Sequence, residues 1–116
     1  MNEKERRRHE RFPLNCPGVI QLAKGPEVST VVTDISESGL RCVFPQAVAL
    51  GAAAELRFVL PVATGKECLV AGRIQHHHRI NESYMLGIEF TRASADVVAT
   101  IREFIRQTLQ IREQQK

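Results

Sequence analysis

The sequence predicts an all-β domain followed by a single C-terminal helix, and three observations carry that expectation. About six short segments alternate apolar and polar residues, with turn residues between them. The connections are short, which favours antiparallel pairing in a barrel or a sandwich. The last part of the chain changes from strand to helical periodicity.

Taken in order, residues 1–10 are polar throughout and read as a flexible arm. Arg11-Phe12-Pro13-Leu14 opens the folded body, with Pro13 imposing an extended approach. Gly18 to Leu22 is the first strand, and Lys24-Gly25-Pro26 closes it. Val28 to Ile35 is the second and is rich in β-branched residues. Ser36-Glu37-Ser38-Gly39 breaks the chain. Leu40, Cys42 and Phe44 then share one face of a third strand, which Pro45 ends. Leu56, Phe58 and Leu60 mark a fourth, and Cys68, Val70, Gly72 and Ile74 a fifth. Arg79 to Ser83 reads as a hairpin loop before a sixth strand carrying Tyr84, Leu86, Ile88 and Phe90. In the tail, Val97, Ile101, Phe104, Ile105 and Leu109 form one apolar helical stripe. Ser94 is the expected N-cap, Asp96 suits the helix dipole, and fraying is expected from Glu113.

Composition narrows the function classes. Apolar residues make up 43% of the chain and charged residues 25%, the proportions of an ordinary globular domain. No apolar stretch is long enough to cross a bilayer, so no membrane insertion is expected. The basic N-terminus has no apolar segment behind it and does not read as a secretion signal. Cys16, Cys42 and Cys68 are odd in number and widely spaced, as expected of reduced, buried thiols in a cytoplasmic protein. The net charge is +3, but Lys4, Arg6, Arg7, Arg8 and Arg11 crowd the first dozen residues. Such a local cluster suits a specific anionic ligand better than a long polyanion. Neither DNA nor RNA is expected: single-strand binding needs exposed aromatics, and the chain has no Trp and one Tyr.

Two clusters carry the chemistry. Arg7-Arg8-His9-Glu10-Arg11 is an RxxxR immediately before the first strand, and Asp34-Ile35-Ser36-Glu37-Ser38-Gly39 is a DxSxxG at a strand end. Their order and their separation of some two dozen residues resemble the ligand motif of PilZ domains. Leu86-Gly87-Ile88-Glu89-Phe90 and the terminal helix resemble the end of that domain, so the likeness covers nearly the whole chain. It implies a six-stranded antiparallel, Greek-key-like β-barrel over 12–92, a basic arm over 1–11 and a helix packed on the barrel over 93–116. It also implies a receptor for cyclic di-GMP, with no other cofactor and no catalytic residue.

The residue types suit that ligand. A guanidinium can hold a phosphodiester through two N–H groups, stack on guanine, or bond its O6 and N7. The resemblance gives these tasks to Arg7 and Arg11. Arg6, just before the motif, would add a contact and imply two stacked ligand molecules per protomer. Asp34 would accept from the guanine donor edge, and Ser36 would offer a hydroxyl. Gly39, lacking Cβ, would let the chain turn and the ligand approach. His76 stands where related domains place a stacking aromatic residue. Gly87 is expected to relieve crowding inside the barrel instead of touching ligand.

Plainer readings compete at each position. A charge run is often a solvated tail, and Asp and Ser often only shape turns; the two motifs together outweigh those readings. His76-His77-His78 alternate faces, so at most two could meet one ion, and no metal site is expected. Ser36 lacks a nucleophile elbow and a partner His, so no enzyme is expected. The expected output is a conformational switch acting on an unidentified downstream protein in motility, biofilm or exopolysaccharide control, from a monomer or weak homodimer. The rival is a nucleotide-independent adaptor in pilus or motility assembly.

Overall fold

The computed structural model describes residues 10–115. Arg6 and Arg7 lie outside them. Six strands are formed: β1 (Phe12–Leu22), β2 (Glu27–Ile35), β3 (Gly39–Phe44), β4 (Ala53–Val59), β5 (Glu67–Ile80) and β6 (Ser83–Ala93). One helix follows, α1 (Ala95–Gln114). The strands close into an antiparallel barrel in the order β1-β2-β3-β6-β5-β4, with β4 returning to β1. The crossing from β3 to β6 gives the Greek-key character and resolves the choice between barrel and sandwich. Closure also leaves no free sheet edge around most of the circumference.

Alternation builds the interior. Ile20, Val32, Leu40, Cys42, Leu56, Phe58, Val70, Ile74, Leu86 and Ile88 all point inward and are almost fully buried. Burying each such aliphatic or aromatic side chain contributes about 1.5–3 kcal/mol. The three cysteines are free and lie in this core. Burial pushes the Cys42 thiol up to about 11, and the Thr30 hydroxyl only partly offsets it. Burial raises Cys16 and Cys68 as well. All three therefore stay protonated and unreactive near neutral pH.

Several boundaries differ from the sequence expectation, each for a physical reason. β1 begins at Phe12 instead of Gly18. Its first half pairs with β2 alone, because β4 joins β1 only from Gly18 onward. Pro13 and Pro17 sit in that one-sided half, where a missing N–H is tolerated. The expected loop at Arg79–Ser83 shrinks to two residues, since Ile80 pairs with Ser83. Asn81 takes the first loop position at φ 54, a left-handed conformation Asn tolerates. Side chains from Gln75 to Ile80 are exposed, so no burial pattern announced this part of β5.

The helix matches its stripe: Val97, Ile101, Phe104 and Ile105 are buried. Ser94 caps it by accepting from the Val97 N–H at 3.2 Å. It runs to Gln114, one residue beyond where fraying was expected to begin. Among the described residues, no helix is long and apolar enough to cross a membrane.

Candidate functional site

The DxSxxG segment forms the turn between β2 and β3, and its own residues hold it. The Ser36 N–H donates to the Gly39 carbonyl at 2.8 Å. The Ser36 hydroxyl accepts from the N–H groups of Ser38 (3.2 Å) and Gly39 (3.1 Å). The Phe90 N–H donates to the Ser38 carbonyl at 2.9 Å, fastening the turn to β6. Ser36 is only 2% exposed. Its hydroxyl is occupied in shaping the turn, the plainer of the two roles weighed for it.

Gly39 is also set by packing. A Cβ there would lie 2.2 Å from the Ile88 carbonyl oxygen. The close approach of β3 to β6, not a left-handed backbone, requires glycine at this position. Gly87 departs from its expectation: the crowding it relieves lies on the outer face of the barrel, because Leu86 and Ile88 on either side take the inward positions, and it lines the depression described below. The His76 imidazole lies over Gly87, with Nε2 2.1 Å from where a Cβ would stand.

Two β-bulges aim the polar side chains. Across β2–β3, Val32 pairs with Cys42 and Asp34 with Arg41, so Thr33 is one residue extra. Val32 and Ile35 can then both face the core while Asp34 turns to the outer surface. Across β5–β6, Ile74 pairs with Ile88 and His76 with Gly87, so Gln75 is extra. Strict alternation from Ile74 would have sent His76 inward; the bulge turns it out. The register then sets one row across four strands: Asp34, Arg41, Gly87 and His76.

Arg11, the second arginine of RxxxR, meets this row. Its Nη1 donates to Asp34 Oδ1 at 3.1 Å. From the other side, Arg41 Nε lies 2.7 Å from Asp34 Oδ2, an ion pair whose N–H is not aligned as a hydrogen bond. The Asp34 side chain is 14% exposed, and those of Arg11 and Arg41 are about one-third exposed. Beside Arg11 is an open depression of about 210 Å³, lined by Ser38, Gly39, His76, Gly87 and Glu89 among others. The structure thus gathers Arg11, Asp34, Gly39 and His76 on one surface, with Ser36 buried beneath the turn. Arg6 and Arg7 fall outside the described residues.

Arg41 and Ser38 were not singled out from the sequence. Arg41 could have been: it stands between the inward Leu40 and Cys42, two residues past Gly39, so alternation puts it outside beside the motif. A larger groove, about 460 Å³, lies elsewhere, along β5 and the first turns of α1. Its charged residues, including Lys66, Glu67, Arg92 and Asp96, are mixed in sign and none belongs to either motif. The smaller depression is the one that residues of both motifs border: Arg11 of the first, Ser38 and Gly39 of the second. Among the described residues, no group of three or more His, Cys, Asp or Glu could hold a metal ion.

The helix touches both motifs. Arg102 Nε donates to Glu37 Oε1 in the turn at 2.6 Å. Arg112 Nη1 donates to Glu10 Oε2 at 3.1 Å. The Arg112 guanidinium also lies over the Phe12 ring, 4.9 Å from its centroid, a cation–π contact.

Comparison with known proteins agrees with this architecture. The PilZ domain model matches residues 5–107. No curated protein matches the sequence. Among solved structures, the Bacillus subtilis inhibitor of motility MotI/DgrA superposes with a TM-score of 0.73 at 20% identity, over 86% of this chain and 50% of that one. The PilZ domain of Escherichia coli YcgR, solved with c-di-GMP, gives 0.70 at 16% identity over 94% and 96%. The complex of MrkH from K. pneumonia with c-di-GMP gives 0.70 at 17% identity over 96% and 56%. The chain therefore spans about half the length of MotI/DgrA and of MrkH, and nearly all of the YcgR domain. With a family match over most of its length and a closed six-stranded barrel capped by one helix, the chain belongs to the PilZ domain family.

Proposed function

We propose that this chain is a receptor for cyclic di-GMP that signals to a protein partner and performs no chemistry. One observation carries the reading: motifs 23 residues apart in sequence meet in space, Arg11 on Asp34 at 3.1 Å. The c-di-GMP complexes of YcgR and MrkH, which share the fold, support the same ligand for this chain.

In this reading the ligand sits against the β2–β3 turn. Arg7 and Arg11 neutralise its phosphodiesters, and Arg6 adds a contact. Asp34 accepts from the donor edge of a guanine, and His76 stacks on or flanks a base. Drawing Arg11 toward a phosphate pulls on its two neighbours, Glu10 before β1 and Phe12 at the strand's first position. Both touch Arg112, so the movement reaches α1, which is also fastened to the turn through Arg102 and Glu37. The helix, with Ile111 exposed on it, is then the element a partner reads. MotI/DgrA is named as an inhibitor of motility, which favours motility among the processes such a switch could serve.

Calorimetric titration of the purified protein with cyclic di-GMP, with GTP and cyclic GMP as controls, tests the reading. Saturable binding of cyclic di-GMP alone, weakening as salt is added, is expected. Absence of binding at high micromolar ligand would overturn it in favour of a nucleotide-independent adaptor.

A further inference from the structure

Asp34 is bracketed by two guanidiniums, and only one of them borders the depression where ligand is placed. Arg11 lines that depression and holds Oδ1; Arg41 holds Oδ2 and does not line it. β3 fixes Arg41 firmly, because Leu40 and Cys42 on either side are both 0% exposed. Arg11 precedes β1, outside the barrel ladder.

We propose that Arg41 is a positioning residue for nucleotide binding. It keeps the Asp34 carboxylate paired and aimed when Arg11 leaves it for a phosphate. The inference rests on the cyclic di-GMP reading above and deepens it. Physically, a mostly buried carboxylate stripped of its partner is strongly unfavourable. With Arg41 present, releasing Arg11 leaves Asp34 still paired and frees Oδ1 for a guanine donor. Without Arg41, Arg11 becomes the sole cation on Asp34 among the described residues and is harder to recruit. The cation matters more than the fork here, because the contact is a single Nε without aligned hydrogen bonding, so lysine can substitute in part.

Cyclic di-GMP titrations of the full chain, each paired with a thermal melt, test this. Arg41→Gln should weaken binding about tenfold, a moderate effect because both arginines are about one-third exposed to screening solvent. Arg41→Lys should stay within about threefold of the parent. Arg41→Gln should lose most of its effect in an Asp34→Asn background, where no carboxylate remains to be held. If Asp34→Asn binds too weakly to measure, the contrast between Gln and Lys at position 41 decides. Parent-like binding by Arg41→Gln, equal losses in Gln and Lys, or a full Arg41→Gln loss persisting with Asp34→Asn would each overturn the inference. The parent protein failing to bind cyclic di-GMP would instead overturn the functional reading beneath it.

Discussion

The two halves of the candidate site are built by different means. The β2–β3 turn is held by short-range hydrogen bonds around the buried Ser36 and by the tight β3–β6 approach at Gly39. The segment entering β1 is held at its surface by charge: Arg11 on Asp34, Glu10 on Arg112. Buried, satisfied hydrogen bonds rigidify a loop. Partly exposed ion pairs contribute about 0–1 kcal/mol each and exchange partners readily. One half is therefore a fixed seat and the other a segment able to trade one anion for another. A receptor that must both recognise and report needs the two together.

That contrast can be broken or sharpened by substitution. Gly39→Ala places a methyl against the Ile88 carbonyl and should cost about 3 kcal/mol or more, lowering the melting midpoint by about 10 °C or abolishing folding. Ser36→Ala leaves the Ser38 and Gly39 N–H groups without their acceptor and should cost about 1–3 kcal/mol in a denaturant melt. Arg11→Ala should cost at most about 1 kcal/mol in stability yet weaken cyclic di-GMP binding about a hundredfold. Collapse of stability in Arg11→Ala would place that arginine in the structural half and erase the distinction. Arg102→Ala and Arg112→Ala should each change affinity only several-fold, with near-parental melts, because they act on the coupling of helix to site.

The smallest effect lies on the outer face of α1. Arg106 and Gln107 hold the Glu103 carboxyl down to about 2. A carboxyl depressed on folding contributes stability above its unfolded value near 4.5, and that contribution is lost as pH falls toward 2. The Glu103 side chain is 40% exposed to screening solvent, so melts between pH 5 and 2 should differ only slightly between the parent and Glu103→Gln.

Much of the fold was legible because alternation survives wherever one strand face is buried. Leu40-Cys42-Phe44 and Leu86-Ile88 read correctly for that reason. The helix stripe and its Ser94 cap were legible on similar grounds, whereas Gly87 faces the outer surface and His76 instead of the barrel interior. The bulges at Thr33 and Gln75 were not, because an extra residue has meaning only against a partner strand. They decide that Asp34 and His76 face outward, so the way these side chains come to one surface was hidden. Arg41 belongs to neither motif, and only the β2–β3 pairing shows that it meets Asp34. Ser36 was read as a ligand contact because a hydroxyl in a turn looks the same in sequence whether it faces solvent or its own backbone.

The central claim, that a fixed turn receives a ligand over which the arginine-bearing segment closes, is tested most directly by amide hydrogen exchange with and without saturating cyclic di-GMP. The account predicts slower exchange at Arg11 and Phe12, altered exchange along residues 102–112, and little change at residues 36–39. Change confined to the turn, with Arg11, Phe12 and the helix unaffected at saturation, would contradict it.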